Sequence, residues 1–176
     1  MELNDVIFSR KSVRSYTGEA PSEADLNKIL AAGNAAPVGM GAFDSLQLTV
    51  ITSQDILAQI DGACAKMFGR PDMHPLYGAP VLVLVSSKVP EGGLNNVAYS
   101  NAAIIVQNMA LEATELGVGA CHIWGAVAAL GGAPEVVAQL QLPEGFAPCC
   151  GLALGVTDQT YELRDIPADR IAVTTL

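Results

Sequence analysis

The sequence predicts an α+β domain, and three observations lead there. Apolar runs of strand length recur at residues 46–52, 80–85 and 149–156, separated by segments of helical period. No internal repeat and no linker interrupts the 176 residues, so residues 1–176 are expected to form a single domain. Hydrophobic residues make up 51% of the chain and charged residues 15%, which is ample for a core and far from a disordered composition.

Taken in order, residues 5–10 allow a short opening helix, followed by Arg10-Lys11-Ser12-Val13-Arg14 and a turn at Thr17-Gly18. Ser22, just after Pro21, reads as a helix N-cap, with Leu26, Ile29, Leu30 and Gly33 on one face. That helix must end before Pro37, and Val38-Gly39-Met40-Gly41 is a loop. After the strand at 46–52, Ser53 caps a short helix carrying Ile56, Leu57 and Ile60. Residues 69–78 are irregular. The run Pro80-Val81-Leu82-Val83-Leu84-Val85 is apolar throughout, so both faces of that strand should be covered. Residues 90–96 form a loop. Residues 100–116 make the strongest helix, apolar around most of its axis and closed by Gly117. A short strand is expected at 121–124, a helix from Pro134 to about residue 140, and a last strand at 149–156.

Net charge is −9 and the sequence pI is near 4.5. A nucleic-acid surface needs a basic stripe, and nine Lys and Arg residues spread along the chain do not supply one. No window reaches the ~18 uninterrupted apolar residues of a membrane span. The start, Met1-Glu2-Leu3-Asn4-Asp5, lacks the charged-then-apolar order of a signal peptide. A cytoplasmic protein is the expectation. Cys64, Cys121, Cys149 and Cys150 have no C-x-x-C spacing and lie in apolar surroundings, as buried reduced thiols do. A vicinal redox pair at Cys149-Cys150 is disfavoured because adjacent strand residues point to opposite faces. His74 and His122 form no metal-spaced cluster, and no G-x-S-x-G elbow occurs. Gly117-Val118-Gly119-Ala120-Cys121 follows a helix and leads to a strand, the reverse of a dinucleotide fingerprint.

Two charge patterns remain. No Lys or Arg occurs between Val89 and Leu163, which points to deep burial in a domain or a dimer. Three of the nine cations fall within residues 10–14. Three cations and a hydroxyl on an acidic chain can hold an anion such as a phosphate, with Arg giving paired donors and Lys a point charge. A solvated basic loop carries the same residues, and spacing alone favours that reading.

The order of segments resembles the nitroreductase family of FMN enzymes over nearly the whole chain. The resemblance rests on Arg10-Lys11-Ser12-Val13-Arg14, Ala35-Ala36-Pro37 with its glycine loop, Ala79-Pro80 with its apolar strand, and the helix from Asn101 to Leu116. It continues through Gly117-Val118-Gly119-Ala120-Cys121-His122-Ile123-Trp124-Gly125 and Gly151-Leu152-Ala153-Leu154-Gly155. It implies an α+β fold with a mixed, mostly antiparallel sheet flanked by helices. It also implies an obligate homodimer with two FMN sites at its interface, each drawing on both chains. By matching, Arg10, Lys11, Ser12 and Arg14 would meet the phosphate, ribityl chain and pyrimidine edge of FMN. Pro37, Val38 and Gly39 would come from the other chain. Trp124 and Gly125 would offer backbone N–H groups near flavin N5, and Arg164 would be a late phosphate contact.

The implied activity is transfer of hydride from NAD(P)H through flavin N5 to a small oxidised acceptor such as a nitroaromatic or quinone. Flavin carries that chemistry, so no metal, nucleophile or dedicated acid–base residue is expected. A flavin dehydrogenase working in the oxidative direction, a flavin-delivery protein and a cofactor-free interaction protein are the alternatives. The chain departs from the family at Val38-Gly39-Met40-Gly41-Ala42-Phe43, where serine, asparagine and glutamine are common. The segment between Val89 and Tyr99 leaves little room for a long cover over the substrate.

Overall fold

Strand β2 (Val81–Lys88) is buried from Val81 to Ser87 and organises the layers on either side of it. The structure is a computed structural model that describes residues 2–176. Met1, first residue of the expected domain and of the expected acidic start, lies outside the described residues. The other strands are β1 (Leu46–Ile51), β3 (Gly119–Ile123) and β4 (Phe146–Gly155), in the order β1-β2-β4-β3. The helices are α1 (Leu3–Ser9), α2 (Glu23–Asn34), α3 (Gln54–Phe68), α4 (Asn96–Glu115), α5 (Gly125–Ala129) and α6 (Pro134–Val137).

All three ladders are antiparallel, with Leu46 opposite Ser87, Val81 opposite Leu154 and Gly119 opposite Gly155. The expected mostly antiparallel sheet flanked by helices is therefore present, without a parallel pair among the described residues. Period-two alternation sends Val81, Val83 and Val85 toward α4 and Ile29 of α2. It sends Leu82 and Leu84 toward Leu57 and Ile60 of α3 and Val127 of α5. Each of these side chains contributes about 2 kcal/mol by leaving water. That two-sided burial is why β2 reads as a continuous apolar run.

Several boundaries moved for local reasons. Ser22 caps α2 by accepting from Asp25 N at 3.1 Å, as its position predicts. Ser53 caps α3, which runs fifteen residues and exceeds the short helix expected. α4 starts at Asn96, before the expected Ser100, because Asn95 Oδ1 accepts from Val97 N and Ala98 N, both at 3.1 Å. α5 has no counterpart in the sequence reading, since five residues are too few to show a helical period.

The opposite-face expectation for Cys149 and Cys150 fails. Val85 pairs with Cys150 and Ser86 with Pro148, which leaves Cys149 as the extra residue of a bulge. Alternation breaks there, and both cysteines pack against the α4-side core. All four thiols are free, and burial raises that of Cys149 to about 11. No helix among the described residues is long and apolar enough to cross a membrane.

Candidate functional site

The chain leaves α1 with Arg10 at its C-cap and runs along the outer edge of β3. Val13 N donates to Ala120 O at 2.9 Å, and the Val13 side chain is fully buried. Thr17 N donates to Val156 O at 3.0 Å, and Thr157 Oγ1 donates to Ser15 O at 2.9 Å. The basic segment is thus pinned to the sheet at its middle and far end, and does not behave as a free loop. Arg14 is left exposed, while Arg10, Lys11 and Ser12 are half-buried.

The chain after β4 folds back over the same edge. Tyr161 donates its hydroxyl to Val118 O at 2.7 Å. Arg164 donates to Phe8 O from both its backbone N, at 3.1 Å, and its side-chain Nε, at 3.0 Å. Arg164 and Arg170 come close enough to Arg10 that their charges, after burial, hold its guanidinium below the usual arginine value. The Lys11 ammonium lies 5.9 Å from the Tyr161 ring centroid, and Arg14 Cζ lies 5.6 Å from that of Tyr77.

Five of the nine cations therefore gather around one strand edge: Arg10, Lys11, Arg14, Arg164 and Arg170. Among the described residues none of them forms an ion pair with a carboxylate; the pairs present are Lys28–Asp25 and His74–Asp61. Like charges brought together without counter-charges repel, so this arrangement is complementary to an anion. Inside the cluster, burial raises the Cys121 thiol, and Arg14, Ser12 and Arg10 partly oppose that. Burial and then Arg10 hold His122 below the usual histidine value, so it is neutral at neutral pH. Among the described residues no group of acidic, His or Cys side chains is placed to hold a metal.

Pro37, Val38 and Gly39 lie elsewhere in this chain. Gly39 N donates to Asn101 Oδ1 at 3.0 Å, and Gly39 shares a cleft of ≈ 390 Å³ with Ser87 and Lys88 at the far end of β2. The near end of β2 meets the basic segment. A Cβ on Gly155 would lie 2.7 Å from Pro80 Cδ and 2.8 Å from Tyr16 Cδ1. Eight strand residues separate these ends by roughly 23 Å. Within one chain, the two halves of the expected site do not meet.

Trp124 and Gly125 follow β3 directly, two and three residues beyond His122. Trp124 is 64% exposed in the single chain and so is not a core aromatic there. It caps α5 with no side-chain hydrogen bond, so the first N–H groups of that helix lack a side-chain cap. Tyr77, Tyr161 and Arg170 belong to the cluster and were not singled out by sequence. Tyr77 and Arg170 are far in sequence from the basic segment, and only tertiary folding brings them to it.

A family model described as the nitroreductase family matches residues 7–156. A candidate NADH dehydrogenase/NAD(P)H nitroreductase of Methanothermobacter thermautotrophicus is 28% identical over 180 residues, covering 97% of this chain and 86% of that protein. A nitroreductase with bound FMN from Desulfitobacterium hafniense superposes with a TM-score of 0.84 at 25% identity, over 99% of this chain and 100% of that one. A second nitroreductase with bound FMN, from Bacteroides fragilis, gives 0.82 at 29% identity, over 99% and 100%. The family match spans most of the chain and takes in the basic segment from Arg10 as well as Trp124 and Gly125, and the chain belongs to the nitroreductase family.

Proposed function

We propose that this chain binds FMN and works as an oxidoreductase, using NAD(P)H to reduce a small oxidised acceptor such as a nitroaromatic or quinone. The observation that carries the reading is the set of five cations beside β3, free of carboxylate partners among the described residues, in a chain of net charge −9. A phosphate-bearing cofactor matches that donor set, and the two superposed nitroreductases are described with FMN. When bound, FMN supplies hydride acceptance and donation through N5.

The chain's own residues position it. Arg10, Lys11 and Arg164 hold the phosphate, where paired guanidinium donors and a point charge complement each other. Ser12 meets the ribityl chain. Arg14 sets a positive charge at the pyrimidine edge, where it offsets negative charge that develops on reduction. Trp124 and Gly125 present main-chain N–H groups to the reactive edge without adding a titrating group. Pro37, Val38 and Gly39 complete the site from a second copy, because in their own chain they sit about a strand's length away. The working molecule is then a cytoplasmic homodimer in which residues 1–176 act as one domain, with no nucleic-acid or membrane partner.

A fluorescence titration of FMN into wild type and Arg10→Glu tests the assignment. The variant removes a cation and adds repulsion, so affinity should fall well over tenfold. Equal affinity would remove the phosphate from residues 10–14. A wild type that takes up no FMN would overturn the whole reading. Binding without NAD(P)H oxidation in the presence of a quinone would make the chain a flavin carrier.

A further inference from the structure

We propose that Tyr77 is a positioning residue of this site: the turn before β2 holds its ring against Arg14 and presets that guanidinium for the anionic part of the cofactor. The inference rests on the flavin reading above and adds a residue to it.

The turn is unusual in its occupant. Tyr77 and Gly78 both have positive φ, 56° and 73°, and Ala79 N donates back to Leu76 O at 3.0 Å. Two consecutive left-handed residues at the centre of a tight turn call for Asn-Gly or Asp-Gly, whose first residue tolerates that region. A bulky aromatic there is rare and strained. Its surroundings impose the conformation from several sides. Leu76 is buried in the core against α3, and Ala79 and Pro80 are buried after it. Asp61, from α3, accepts from Leu76 N at 2.9 Å through Oδ1. Its other oxygen lies 3.6 Å from His74 Nδ1. Tyr77 N donates to His74 O at 2.9 Å.

Tyr77 lies outside both core clusters and stays 40% exposed, so core packing does not explain its place in the turn. Its contact is with Arg14, whose guanidinium carbon sits 5.6 Å from the ring centroid. Arg14 is otherwise exposed and lacks a carboxylate partner among the described residues. A long cation in that state loses rotamer freedom when it meets a ligand, and the ring removes part of that freedom beforehand.

Tyr77→Asn in the full-length chain separates this role from a structural one. Asparagine suits the turn, so the thermal midpoint without FMN should rise by about 2–4 °C. The FMN dissociation constant should weaken about five-fold with loss of the cation–π contact. In an Arg14→Ala background the same change should leave the FMN constant unaltered. Stability and affinity thus move in opposite directions, and the change in affinity runs only through Arg14. An unchanged constant in Tyr77→Asn would overturn the proposal. So would equal weakening in the Arg14→Ala background, or a joint fall of stability and affinity. Wild type that fails to bind FMN would instead remove the underlying flavin reading, and this inference with it.

Discussion

At Gly125 an added Cβ would meet only Phe68 Cε2, at 3.9 Å, and its φ is not in the left-handed region. The protomer itself has room for a side chain there. A defect on enlarging Gly125 would therefore report what approaches from outside the chain. Gly125→Val should fold with wild-type stability yet lose bound flavin or stall its reduction, because a β-branched group keeps a ring from the backbone. Trp124→Phe should keep FMN and much of the NAD(P)H oxidation rate, since the backbone N–H survives. Stopped-flow reduction of both variants checks this, and a normal rate in Gly125→Val would move the flavin elsewhere. The same residue-scale logic explains the basic segment. Its composition fits a solvated loop as well as an anion site, and the burial of Val13 with its bond to Ala120 shows that the segment is held against the sheet.

Among the elements, α4 shows most clearly what local chemistry controls. Its start is set by one side chain, since Asn95 satisfies two of the orphan N–H groups of the first turn. Asn95→Ala should cost about 1 kcal/mol. In a domain of this size that lowers the thermal midpoint by about 2–4 °C, measurable by calorimetry. An unaltered midpoint would mean that packing alone fixes the helix start. Helix starts at Ser22 and Ser53 were legible in sequence because hydroxyl caps precede a helical period. Asn95 is as good a cap, but it stands ahead of a turn in which Val97 and Tyr99 are exposed, so periodicity hid it. The short α5 and the bulge at Cys149 were illegible for different reasons. α5 is too short to show a helical period, and the bulge is set by the register of β4 against β2, which no local pattern encodes.

For the whole molecule, the exposed apolar side chains are the feature that needs an explanation. Leu3, Ile7 and Phe8 of α1, Val97, Tyr99 and Ile104 of α4, and Met40 and Phe43 of the loop before β1 all face outward. α4 was expected to be buried all round, and in the single chain one stripe of it is open. Together with the separation of Pro37–Gly39 from Arg10–Arg14, this favours a homodimer that does not part into folded monomers. Such interfaces bury on the order of 2,000 Å² and resemble a divided core. Light scattering at micromolar concentration should report twice the chain mass of 18.2 kDa. A stable folded species at the monomer mass would refute the dimer and the two-chain site together.

The amino-acid sequence by itself determined the α+β class, the buried central strand, the starts of α2, α3 and α6, and the density of cations at residues 10–14. These depend on neighbours a few residues apart: period-two or helical spacing, caps, and charge density. Tertiary structure alone decided that Arg164 and Arg170 join Arg10, that Tyr77 meets Arg14, and that Pro37–Gly39 stand a strand's length from both. These relations are set by which strand edges adjoin and how the returning chain crosses them. Contacts between residues sixty or more positions apart leave no periodic trace in the chain that makes them.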